Sequence, residues 1–181
     1  MHPAFPTKLR YQTHSLGVPS LAARARRPVL RALTAVLAGA LVAGTGTVLA
    51  GPASSDDRVS SAQDQVVALV NTARGEAGCG PVTANASLTA AAQAHASDMS
   101  ARGYFGHTTP EGVTFDQRIR NAGYPRPGAE NIARGPTTAE AVMALWLKSD
   151  GHRANILNCN LVAIGVGLDV NGFYWVQDFG F

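Results

Sequence analysis

The sequence predicts an α+β domain in which helices cover a small, mainly antiparallel sheet. Three observations lead to this class. Apolar residues recur at helical spacing in four segments between residues 62 and 146. The period then changes, and residues 163–179 read as two strand runs around Asn171-Gly172. The segment in front, residues 1–53, has the composition of a targeting signal and is set apart from the fold. Helices followed by a terminal hairpin bury their apolar faces by packing as layers on one sheet.

Each element has a local reason. Val66, Leu69, Val70, Ala73 and Ala77 line one face of a helix over about residues 62–77, and Gly78-Cys79-Gly80-Pro81 stops it. A second helix starts with Ser87 as N-cap. Its stripe is Leu88, Ala91, Ala92, His95, Ala96 and Met99, and Gly103 ends it. A short helix over Thr114–Ala122 turns Phe115, Ile119 and Ala122 inward. Thr137 and Glu140 have capping-box spacing and open a helix through Ala141, Leu145 and Trp146. Ala163–Leu168 is a buried strand run, Asn171-Gly172 a hairpin turn, and Phe173–Phe179 the returning strand. Residues 54–64 read as a short flexible linker, so the folded domain spans 65–181.

The chain has 181 residues and a formal net charge of +3, but the charge is divided unevenly. Residues 1–53 hold Lys8, Arg10, Arg24, Arg26, Arg27 and Arg31 and no acid; the remainder holds nine bases against twelve acids. A mildly acidic body lacks the basic face that nucleic-acid binding requires, so no nucleic-acid partner is expected. The arginines precede an uncharged apolar run, Ala32–Ala50, followed by small residues. That order describes a secretory signal peptide and a secreted, extracellular product; a monomer is expected. The run is long enough for an uncleaved anchor, which would be the one route to a membrane. Arg26-Arg27 also loosely resembles a twin-arginine signal.

Cys79 and Cys159 both lie in the exported body, where an even count favours one disulfide. Two buried thiols are the alternative reading. No GxSxG, HExxH, P-loop or CxxC is present, so the familiar catalytic signatures are missing. His95 falls on the apolar stripe of the second helix and reads as a core or supporting histidine. His107 follows Tyr104-Phe105-Gly106 at a loop edge, and His152 opens a short helical turn after Gly151. Glu130 stands alone among small apolar neighbours, Gly128-Ala129-Glu130-Asn131-Ile132-Ala133, where an unpartnered carboxylate is costly. Two imidazoles and a carboxylate can hold zinc with an open position, or serve as general acid and base. Their separations in sequence leave proximity undecided.

The ordered set of motifs resolves this. Gly106-His107-Thr108, Glu130-Asn131-Ile132-Ala133, Trp146-Leu147-Lys148-Ser149 with Gly151-His152-Arg153-Ala154-Asn155-Ile156-Leu157, and Ile164-Gly165-Val166-Gly167 with Tyr174-Trp175-Val176-Gln177-Asp178-Phe179-Gly180 occur in that sequence. Together they resemble the bacterial SCP-like branch of the CAP superfamily, which includes the cysteine-rich secretory, antigen 5 and pathogenesis-related 1 proteins. The resemblance implies a three-layer α-β-α sandwich with a central cleft of two histidines and two acids. His107, Glu130 and His152 match three of the four, and Asp150 is the nearest acid to the fourth place. A divalent cation such as Zn2+ on His107 and His152 is implied, without an organic cofactor. So is a binding module for a small-molecule, lipid or peptide ligand. A metal-dependent or acid–base hydrolase of peptidase type, with Glu130 as catalytic base, is the alternative.

Overall fold

Leu88, Ala92, Ala96 and Met99 are fully buried, as their helical spacing predicts, and the helix that carries them lies against a four-stranded sheet. The structure, a computed structural model, describes residues 53–181; residues 1–52, all but the last of the predicted targeting segment, lie outside the described residues. The elements run α1 (Ser55–Glu76), β1 (Thr83–Ala84), α2 (Ala86–Arg102), α3 (Phe115–Asn121), β2 (Pro127–Arg134), α4 (Ala139–Lys148), α5 (Asp150–Ile156), β3 (Ala163–Asp169) and β4 (Tyr174–Gly180).

The sheet order is β1-β3-β4-β2. β1 pairs with β3 in parallel; β3 with β4 and β4 with β2 are antiparallel. Side chains alternate across a strand, so β4 sends Trp175, Gln177 and Phe179 one way and Tyr174, Val176 and Asp178 the other. Trp175 and Phe179 join Val66, Val70, Val142 and Trp146 in the main core under α1 and α4. Val176 and Tyr174 meet Ala92, Ala96 and Met99 of α2. The expected three-layer α-β-α sandwich is the observed fold. On the α2 side the approach is very close. A Cβ on Gly165 or Gly167 would strike the α2 backbone at Leu88–Thr89 or Ala92–Gln93, so only glycine admits the helix there.

Four local expectations are corrected. Residues 54–64 are not a linker, because α1 begins at Ser55. The Ser54 hydroxyl accepts from the Asp57 amide while Asp57 accepts from the Ser54 amide, so a capping box with aspartate in the third position starts the helix early. Val59 and Ala62 of this first stretch then pack on the core. The α2 cap is Asn85, whose Oδ1 accepts from the amides of Ser87 and Leu88, and the α4 cap is Thr138 in place of Thr137. The hairpin has a four-residue loop, with Gly172 and Phe173 both at positive φ; Asp169 pairs with Tyr174. β1 and β2 carry no alternating apolar pattern and were not foreseen.

Cys79 and Cys159 form a disulfide, with Cα atoms 4.9 Å apart, tying the end of α1 to the segment before β3. Beside it Arg74 is buried with no acid as partner. Its guanidinium donates instead to the carbonyls of Gly80, Ile156, Asn158 and Leu161 at 2.8–2.9 Å.

Candidate functional site

β2 is the element that organises the site. Its side chains alternate, so Glu130 points to the α2 side while Asn131 points to the opposite side. Glu130 is almost completely buried, and each of its oxygens receives a donor. His107 Nδ1 lies 2.8 Å from Oε1, and Arg118 Nη2 lies 2.5 Å from Oε2. The expectation that this carboxylate needs a partner is met twice. Because a carboxylate only accepts, the proton of His107 sits on Nδ1 and the Nε2 lone pair remains free. The imidazole itself is half exposed, at 52%.

The loop that presents His107 is held from both sides. His95 Nε2 is 2.9 Å from the Gly106 carbonyl, and Arg118 Nη1 donates to the carbonyls of His107 and Val113 at 3.0 and 3.1 Å. His95 is 1% exposed, and burial pushes its imidazole below the ordinary value, so it donates as a neutral ring. The loop is also anchored by Tyr104, whose hydroxyl donates to Asp98 at 2.5 Å, and by Arg102, which pairs with both Asp98 and Glu111.

His152 is positioned by another route. α5 is stitched to β2 through Asn131 and Asn155. Asn131 Nδ2 donates to the His152 carbonyl at 3.2 Å, and Asn155 Nδ2 donates to Asn131 Oδ1 at 2.8 Å and to the Glu130 carbonyl at 3.3 Å. The His152 ring makes no hydrogen bond to Glu130 or His107. Its Nδ1 is buried with no partner among the described residues. Burial first, then the neighbouring His107, pushes His152 below the ordinary imidazole range.

Asp150 does not belong with them. It lies in the first turn of α5 with its side chain 93% exposed and pairs with Arg153 at 2.5 Å. A carboxylate there is favoured by the positive end of the helix and by solvent, and nothing draws it inward. The second acid beside the site is Asp178, directly opposite Glu130 in the β2–β4 register and fully buried. Burial, together with the Glu130 charge, raises its carboxyl well above the usual carboxylate range. Sequence reasoning missed both Asp178 and Arg118. The available signal was the one that marked Glu130: an aspartate inside the run Trp175-Val176-Gln177-Asp178-Phe179 is as ill-placed for a solvated face. Arg118 carried no such signal, since its helix is short and half polar.

A mixed sheet between two helical layers, with a histidine–glutamate–arginine cluster at the edge strand, defines a class of α-β-α sandwich proteins. The chain belongs to the CAP, or cysteine-rich secretory protein, family, whose model matches residues 67–179. Among curated proteins it is 37% identical over 147 residues to the uncharacterised protein YkwD of Bacillus subtilis, covering 81% of this chain and 56% of that one. It is 27% identical to the uncharacterised membrane protein YlbC of the same organism, covering 74% and 40%. The chain thus spans about half the length of these relatives. Among solved structures it resembles an extracellular protein containing an SCP domain from Bacillus anthracis. There the TM-score is 0.66 and identity 27%, over 72% of this chain and 45% of that one. An outer surface protein of Borrelia burgdorferi shares the fold at a TM-score of 0.59 and 20% identity, over 65% and 90%.

Proposed function

We propose that the chain is an exported CAP domain acting as a binding module, with His107 and His152 as its ligand-facing groups. The observation that carries this reading is the His107–Glu130 hydrogen bond, which leaves the exposed imidazole with its Nε2 lone pair unengaged. His152 makes no side-chain hydrogen bond among the described residues, and with its Nδ1 buried its Nε2 would be the ligating nitrogen. Two such nitrogens suit a divalent cation of borderline softness such as zinc. No three His, Cys, Asp or Glu side chains gather as a metal site among the described residues. Water would therefore complete the coordination and affinity would be modest. A bound cation would polarise an oxygen of an incoming small-molecule, lipid or peptide ligand. Glu130 then acts as an orienting group, as carboxylates behind metal-binding histidines do.

The hydrolase alternative needs Glu130 as a general base. Both its oxygens already accept hydrogen bonds and its side chain is 1% exposed, which favours the orienting role. Export is supported by the basic and then apolar leader, and by the relative described as extracellular.

The test is a calorimetric zinc titration of the wild type, His107→Ala and His152→Ala at neutral and acidic pH. Binding should need both histidines and fall in acid, because imidazole ligates only when neutral. The fold should survive chelation, since its core is apolar. Equal binding by all three proteins refutes the reading.

A further inference from the structure

Asp178 is the one buried titratable group beside Glu130 that the site described so far does not use. It sits on β4 directly across from Glu130 on β2, and opposed residues of an antiparallel pair project their side chains from the same face. Its other neighbour in the register is Gly165 on β3, the position at which α2 presses its backbone onto the sheet. The aspartate is therefore sealed from solvent by the helix, at 0% exposure. Neither carboxyl oxygen meets a donor among the described residues. The charged and titratable groups facing the pair are Arg118 from α3, His107 from the α2–α3 loop and His95 from α2. Arg118 spends its Nη2 donor on Glu130 and leaves its buried Nε without an acceptor, so it does not bond Asp178; His107 spends its Nδ1 donor on Glu130, and His95 its Nε2 donor on Gly106.

A buried carboxylate with no donor is among the costliest groups a core can hold, and two adjacent carboxylates in one buried site cannot both remain ionised. One proton removes both problems. It makes Asp178 neutral and gives it an O–H, and the acceptor beside that O–H is Glu130. We propose that Asp178 is a positioning residue: a neutral carboxylic acid whose O–H is the third donor to the Glu130 carboxylate, locking the side chain that orients His107. Glu130 then receives hydrogens from α3, from the α2–α3 loop and from β4, three elements that share no local sequence. A carboxylate pinned from three directions cannot rotate away from the imidazole. This is how a fold keeps an exposed ring in one tautomer.

The inference deepens the reading of His107 as a ligand-facing group, and its test is made without any cation, so the two can fail separately. Infrared spectroscopy of the folded domain at pH 7 should show the C=O stretch of a protonated carboxyl, sensitive to deuterium exchange and absent from Asp178→Asn. Long-range nitrogen–proton NMR of the imidazole rings then reads the His107 tautomer. The wild type should hold the Nδ1–H form. Asp178→Asn keeps a side-chain N–H donor toward Glu130 and should hold it too. Asp178→Leu keeps volume but no donor, so the Nε2–H form should become severalfold more populated. A purely structural aspartate would let Asn and Leu behave alike in this measurement. The proposal is overturned if the wild type shows no protonated carboxyl at pH 7. It is equally overturned if the His107 tautomer is indifferent to both substitutions, or if Asn fails to preserve it. Should Asp178→Leu not fold, the infrared band and the Asn variant decide the matter.

Discussion

His95 Nε2 lies 2.9 Å from the carbonyl of Gly106, so a buried ring on α2 holds the residue that immediately precedes His107. This bond converts the second helix from a simple core element into the mount for the site loop. It explains why a histidine occupies a stripe otherwise made of Leu, Ala and Met. The ring has no room for charge, and that gives it a signature in pH.

The unfolded chain protonates histidine near pH 6.5. In the folded state burial pushes both His95 and His152 below that value. Below the unfolded value the unfolded state therefore binds more protons, and stability falls as pH drops through about 6.5. Thermal melting should show this decline in the wild type and a shallower one in His95→Gln, which keeps an N–H donor but no titrating ring. An identical pH profile for the two proteins would refute the assignment.

Arg118 neutralises Glu130 in a site where its own side chain is 11% exposed and its partner's 1%. Removing one member of such a buried pair strands the other charge. Arg118→Leu should lose about 3–5 kcal/mol by urea denaturation. It should also loosen the His107 loop, because the guanidinium holds the His107 and Val113 carbonyls. A loss comparable to that at an exposed ion pair would contradict the role described.

The disulfide and Arg74 brace the same corner by different means. Reducing Cys79–Cys159, which closes a separation of 80 residues, should destabilise by up to about 4–5 kcal/mol in the chain-entropy model without changing the fold. Arg74→Leu should cost at least as much, since four carbonyls lose their donor, two of them in buried hydrogen bonds. Denaturation of the oxidised, reduced and substituted proteins orders the two effects. A larger loss from reduction than from the substitution would reverse this ranking.

Asp150→Ala should leave the zinc titration and the His107–Glu130 hydrogen bond unchanged, because Asp150 faces solvent and pairs with Arg153. Weaker zinc binding in this variant would give Asp150 a part in the proposed site.

The sequence by itself determined the elements whose signal is local. The stripe from Leu88 to Met99, the inward Ile119, and the change of period before β3 all follow from spacing along the chain, and so were legible. The family motifs carried His107, Glu130 and His152. Tertiary structure alone decided the rest. β2 reads as small and polar residues because its burial comes from neighbours on both faces, Asn131 toward α5 and Glu130 toward α3. The start of α1 depended on a Ser54–Asp57 cap and on a core contributed from far along the chain. Asp150 and Asp178 are both acids near family motifs, and only their faces distinguish them. One lies on the outer turn of α5, and the other on the inner face of a strand covered by α2. Spacing records the period of a strand or helix but not which layer will cover each face. The convergence of Arg118, Glu130 and Asp178 comes from pairing between strands and helices distant in sequence, which no local pattern encodes.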